Sequence, residues 1–252
     1  MACQLKTFSN YIDTILKPSL YQDVCINGIQ VEGKNSIKHI ATSVTASVAS
    51  IKKAVKMKAD LLIVHHGIFL KGKDVQVSRG LKEMLTLLLT HNISLLAYHL
   101  PLDAHEELGN NWPAAKALGW FDLESFGIFQ GMPIGVKGRV NPIDRTKLQK
   151  QLEAFYDHPA QVVFSGPKVI NSVAFVSGSA HKLLADAARE EVDCLITGTT
   201  DEPVWHVAHE EKINFMALGH AATEKLGVQL LGQHLAEEFS LTHSFIDENN
   251  PF

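Results

Sequence analysis

The sequence predicts an α/β fold built as two related α/β lobes that arise from an internal repeat, with a metal site at the lobe interface. Three observations predict it. Short apolar runs such as Leu61–Val64 alternate with stretches whose apolar residues recur at helical spacing. The order of these elements occurs twice along the chain, which is the signature of a duplicated unit. In each half, a strand is followed by His-x-x-x-carboxylate: His99 with Asp103, then His220 with Glu224.

At 252 residues, 46% hydrophobic and 20% charged, the chain can bury one large core or two lobes of roughly 125 residues. A formal net charge of -4 argues against nonspecific binding to nucleic acid. The N-terminal stretch Met1-Ala-Cys-Gln lacks an apolar signal core, and no apolar run approaches the roughly 18 residues of a membrane span, so a cytoplasmic location is expected. Cys3, Cys25 and Cys194 are odd in number and far apart, which fits reduced thiols and offers no CxxC site. Any metal must therefore be held by nitrogen and oxygen. Thirteen histidines are the resource for that.

In chain order, Leu5, Phe8, Ile12, Ile15 and Leu16 make one face of an opening helix, which Pro18 ends. Val24–Val31 and Ile37–Val44 read as strands parted by the turn residues Gly33, Lys34 and Asn35. A helix from about Ser47 to Lys58 leads into the strand Asp60–Val64, which delivers His65, His66 and Gly67 at its end. A loop follows from Gly67 to Asp74, then a leucine-rich helix over Arg79–Thr90 and a strand, Ser94–Tyr98, that delivers His99.

The second half repeats this order with a helix over Arg145–Tyr156, strands at Gln161–Phe164 and Ser172–Val176, a helix from Ala180 to Glu190 and a strand from Val192 to Thr197. At one constant shift, Ala54, Asp60, Leu62 and Ile63 fall on Ala187, Asp193, Leu195 and Ile196, and Ile93–Ala97 matches Ile213–Ala217 in pattern. The join lies between Gly119 and Gly135, which gives a first lobe of 1–126 and a second of 127–252. The last helix, Lys225–Phe239, is free to pack back on the first lobe.

Two adjacent histidines where a strand ends are placed for chemistry, because the carboxyl ends of strands in an open α/β sheet are where ligands bind. On a helix, His220 and Glu224 share one face and can grip one ion. Pro101 between His99 and Asp103 makes that pair span a loop and a first helical turn. In the second half Gly198-Thr199-Thr200 replaces His65-His66-Gly67, so one asymmetric site is expected rather than two. Three histidines and two carboxylates exceed one closed tetrahedral site. They suit two ions about 3.5–4 Å apart, bridged by water and a carboxylate.

The blander readings cover the other candidates. His91, His158, His181, His234 and His243 have no partners at ligand spacing, and His206 with His209 fits a half-buried helix beside Trp205, Val207 and Ala208. His105 lies next to the site. Asp60 and Asp193 fix the starts of strands, and Lys71, Lys73 and Arg79 suit a solvated loop as well as a phosphate. There is no Walker loop, GxSxG elbow or dinucleotide fingerprint.

Taken together, Asn27-Gly-Ile-Gln-Val31, His65-His66-Gly67, His99-Leu-Pro-Leu-Asp103, Gly109-Asn-Asn111 and Gly219-His220-Ala-Ala-Thr-Glu224 resemble the blocks of the Nif-three-like family of dinuclear-metal proteins, also known as GTP cyclohydrolase 1 type 2 homologues. The resemblance runs over nearly the whole chain. It implies that His65, His66, Asp103, His220 and Glu224 hold two divalent transition-metal ions (Zn, Fe, Mn, Co or Ni), with His99 beside them as the catalytic proton-handling residue. Thr199 departs from the family pattern, which often has Glu there. The resemblance further implies a toroidal homo-hexamer and a metal-dependent hydrolase acting on a purine nucleotide such as GTP. A metal storage or delivery protein, or a regulatory interaction protein, is the alternative.

Overall fold

A computed structural model describes residues 3–73 and 75–252. Met1 and Ala2 of the N-terminal stretch, and Asp74 at the end of the expected Gly67–Asp74 loop, lie outside the described residues. The chain runs through β1 (Cys3–Gln4), α1 (Leu5–Leu16), β2 (Gly28–Val31), β3 (Ser36–Ile37), β4 (His39–Thr45), α2 (Val48–Lys56), β5 (Leu61–His66), α3 (Arg79–Thr90), β6 (Ser94–Ala97) and the short α4 (Leu100–Ala104). It continues through α5 (Asn111–Ala117), β7 (Phe121–Phe129), β8 (Met132–Asp144), α6 (Arg145–Tyr156), β9 (Gln161–Phe164), β10 (Val169–Val176), a 3-10 turn (His181–Leu183), α7 (Leu184–Arg189), β11 (Cys194–Thr197), α8 (Pro203–Glu211) and β12 (Asn214–Ala217). The last elements are α9 (His220–Thr223), α10 (Lys225–Phe239) and β13 (Thr242–Phe245).

Packing divides these elements into two compact units, one of residues up to 102 with 227–249 and one of residues 103–226 with 250–252. The sequence reading draws its join at 126/127. The contacts group 103–126 with the second unit, and β13, a strand missing from the sequence reading, completes the first unit's sheet.

In the first unit α1 turns Leu5, Phe8, Ile12 and Leu16 inward and stops where Lys17 takes a left-handed conformation, φ 48°, its N–H on Asp13 O. Ser47 caps α2 through a reciprocal box with Ser50. The sheet has the order β13-β4-β5-β6-β2; β4, β5 and β6 are parallel, and β2 runs antiparallel to β6. Because helices cover a parallel sheet, Leu61, Leu62, Ile63 and Val64 are all buried, each contributing roughly 1.5–3 kcal/mol of apolar burial.

The second unit's sheet has the order β7-β8-β10-β11-β12-β9. Its centre has the same strand directions as the first unit's: β10, β11 and β12 are parallel and β9 runs antiparallel to β12. Local bonds repeat as well. Asp60 accepts the backbone N–H groups of Lys38 and His39, and Asp193 accepts those of Asn171 and Ser172. Lys58 and Glu191, in the turns that follow α2 and α7, both adopt positive φ, 55° and 56°. The second unit adds the long β7–β8 hairpin, closed by Gln130 and Gly131 with φ 49° and 84°, the two-residue turn that matches strand twist.

Candidate metal centre

In the first unit, β5 and β6 are parallel neighbours, so their carboxyl ends lie side by side. One delivers His65 and His66, the other His99. The ring centroids are 4.8 Å apart for His65 with His66, 4.8 Å for His65 with His99 and 5.6 Å for His66 with His99. One ring nitrogen of each lies within 4.8 Å of the others, a spacing that can hold a metal ion.

What fixes each ring decides which nitrogen it presents. His65 is fully buried and its Nδ1 lies 3.0 Å from Tyr98 O. A carbonyl only accepts, so Nδ1 carries the proton and Nε2 carries the lone pair that a metal takes. His99 Nδ1 donates in the same way to Asp23 Oδ1 at 2.8 Å. His66 Nδ1 meets the Thr45 hydroxyl at 3.0 Å, which can donate or accept.

Asp23, absent from the sequence reading, anchors this group. Its carboxylate also accepts from Cys25 N, Asn27 Nδ2 and Leu100 N, while Asn27 Oδ1 accepts from His99 N. Burial alone would raise the Asp23 carboxyl. The hydrogen bond and charge of His99, with Asn27 and Cys25 N–H, outweigh it and hold the group down at about 2. Gln30 sets the loop behind His66: its Oε1 accepts Ile68 N and Phe69 N, and its amide nitrogen donates to Ile26 O and Phe69 O. Gly67 leaves room for that amide, since a Cβ there would come within 2.3 Å of Gln30 Nε2 and displace its hydrogen bonds.

The second unit contributes a separate set. Asp103 is buried on α4, and its Oδ1 accepts from Asn110 Nδ2 at 2.8 Å and Ser177 Oγ at 2.7 Å. Asn111 donates to Asp103 O and Ile134 O and accepts Ser177 N. His220 opens α9 and Glu224 follows its last residue, which places His220 Nε2 3.2 Å from the buried Glu224 Oε1. Gly178, at φ 64°, makes room for that pair: a Cβ there would stand 2.2 Å from Glu224 Oε1 and 3.3 Å from His220 Nε2. Imidazole nitrogens and carboxylates oriented in this way can ligate a metal ion.

The remaining candidates have other work. His105 Nδ1 accepts the N–H groups of Glu107 and Leu108, His158 meets Pro159 O and Pro251 O, His234 meets Tyr11, and His243 meets Thr42. His206 and His209 are exposed on α8, so that helix shows more of itself to solvent than the half-buried reading expects. Asp60 and Asp193 hold backbone at strand starts, as the sequence implies. Lys71, Lys73 and Arg79 are exposed.

Residues 3–251 match the model of the Duf34/NIF3 (NGG1p interacting factor 3) family. The chain belongs to that family. Among Duf34/NIF3 relatives, a protein of Chlamydia pneumoniae named GTP cyclohydrolase 1 type 2 homolog is 45% identical over 246 residues, covering 96% of this chain and 97% of its own. Two solved structures are similar over 99% of this chain and 100% of theirs, each with a TM-score of 0.92: the protein ybgI, of unknown function, at 36% identity, and TTHA1606 from Thermus thermophilus at 32%. Among the described residues, no helix is long and apolar enough to cross a membrane.

Proposed function

We propose that this Duf34/NIF3 chain is a metal-dependent hydrolase in which His65, His66, Asp103, His220 and Glu224 together hold two divalent transition-metal ions. The observation that carries the reading is the histidine group at the ends of β5 and β6, with two of its rings set by obligate acceptors, Tyr98 O and Asp23. The Glu224–His220 pair and the doubly bonded Asp103 supply the carboxylates that such a pair of ions requires. When bound, the ions would lower the pKa of a water toward neutrality and polarise the group it attacks.

The chain's own residues supply the rest. His99, whose Nδ1 proton is committed to Asp23, presents Nε2 as the base that accepts the attacking water's proton and returns it to the leaving group. Asp23 stabilises the imidazolium so formed. The name carried by the Chlamydia pneumoniae relative makes GTP and other purine nucleotides the substrates to try first. The two units read as copies of one ancestral α/β element, of which only the first kept the His-His-Gly end. A toroidal homo-hexamer in the cytoplasm is the setting we propose.

The experiment is a nucleotide screen on metal-loaded protein, with products separated by mass. Turnover that is lost in His99→Ala while metal stays bound supports the reading. Bound metal with no turnover across the panel would favour storage or delivery instead.

A further inference from the structure

The parallel neighbours β10 and β11 also end side by side, and the loops after them carry a second chemical group within the second unit. Ser179 and His181 follow β10; Thr199 and Asp201 follow β11. Asp201 Oδ2 lies 3.1 Å from His181 Nε2, His181 Nδ1 lies 3.3 Å from Thr199 Oγ1, and Thr199 Oγ1 lies 3.0 Å from Ser179 Oγ. The loops are tied together by Gly178 O, which accepts Gly198 N at 2.9 Å and Thr199 N at 3.0 Å.

The proton positions follow from what each partner can do. An ionised carboxylate only accepts, so His181 Nε2 carries a proton toward Asp201 and the neutral ring turns its Nδ1 lone pair to Thr199. Thr199 Oγ1 donates to Ser179 Oγ, and because a hydroxyl rotates it can instead turn its proton to His181 and accept the Ser179 proton in its place. This is the role assignment of an acid–imidazole–hydroxyl triad, with the two ring nitrogens exchanged. His181 is largely buried, its side chain 12% exposed, while Ser179 is open to solvent. A cavity of ≈ 240 Å³ lined by His181, Lys182, Asp201, Leu184, Val204 and Val207 adjoins the group, Ser179 and Thr199 lying outside its lining.

We propose that the Ser179–Thr199 hydroxyl pair is a nucleophile activated by His181, with Asp201 as the positioning residue, and that it takes small esters. The hydroxyl oxygen adds to the acyl carbon, its proton passes to His181 Nδ1, and the ester C–O bond breaks with that proton delivered to the departing alkoxide. Water then repeats the sequence on the acyl-enzyme, releasing the acid and restoring the hydroxyl. No metal enters these steps, so the proposal does not rest on the hydrolase reading, although its loops adjoin His220 and Glu224 through Gly178 and Gly198.

The test is labelling of the full chain, both metal-free and metal-loaded, with a fluorophosphonate probe, whose phosphorus accepts the oxygen as fluoride leaves. Intact mass and peptide mapping should find one adduct per chain on Ser179 or Thr199 in both preparations. His181→Gln should slow labelling at least about a hundredfold, as expected for loss of a general base. The half-exposed Asp201→Asn, least at risk of misfolding, should slow it as well, and Ser179→Ala with Thr199→Val should abolish it. No adduct on the folded protein, an adduct elsewhere, or labelling undiminished in both His181→Gln and Asp201→Asn would overturn the proposal.

Discussion

His99 owes its orientation to Asp23, and the consequence can be measured in acid. The Asp23 carboxyl is held at about 2 against an ordinary 3.8, so its ionised form favours the folded state by ~2 kcal/mol. A depressed carboxyl stabilises above its unfolded value. Its contribution is full above about pH 4–5 and is lost as the pH falls toward about 2. Urea unfolding of wild type and Asp23→Asn should therefore show an advantage for wild type near neutrality that shrinks across that window. An advantage constant down to pH 2 would contradict the assignment. Gly178→Ala tests the other set of donors, because the new methyl would displace Glu224 Oε1 and strain a left-handed backbone by about 1 kcal/mol. Metal content per chain should drop well below that of wild type. Unchanged content would show that Glu224 does not ligate.

At the scale of elements, the paired carboxylates Asp60 and Asp193 hold the same two backbone groups in each sheet. Each replaced by Ala removes two hydrogen bonds to partly exposed N–H donors, so each should cost about 1 kcal/mol in denaturant unfolding. Asp60 also pairs with Lys34 at 2.6 Å, so Asp60→Ala should cost at least as much as Asp193→Ala, and no effect at either would contradict the role of these carboxylates. These residues, and the helices Arg79–Thr90, Arg145–Tyr156 and Lys225–Phe239, are legible in the sequence because local apolar periodicity governs them. The Ala180–Glu190 stretch is less so: it starts as a 3-10 turn and only Leu184–Arg189 is α-helix, since Ser179 and His181 serve the loop. β13, Thr-His-Ser-Phe, has no apolar run and becomes a strand only by pairing with β4. The β7–β8 hairpin hides behind a Gln-Gly turn that lacks the usual Asn-Gly signal. Within the candidate site, His65, His66, His99, Asp103, His220 and Glu224 stand out by residue type and spacing. Asp23 and Ser177 do not, because the partners that give them their roles, His99 and Asp103, lie far along the chain and only folding brings them together.

For the whole molecule, the proposed ligands are His65, His66, Asp103, His220 and Glu224. Ion binding to the folded state alone stabilises by roughly 4 kcal/mol at a thousandfold excess over the dissociation constant. If the toroid forms, closed symmetry requires one particle of six times 27.7 kDa. Light scattering on dilute protein should give that single size, and a stable monomer would remove the toroid. The most direct measurement is metal analysis of the purified chain with thermal melting before and after chelation. Close to two transition-metal ions per chain are expected, with a melting temperature that falls when they are stripped and recovers when they are returned. A chain that takes up no metal from metal-replete medium, and melts identically with chelator, would contradict that expectation.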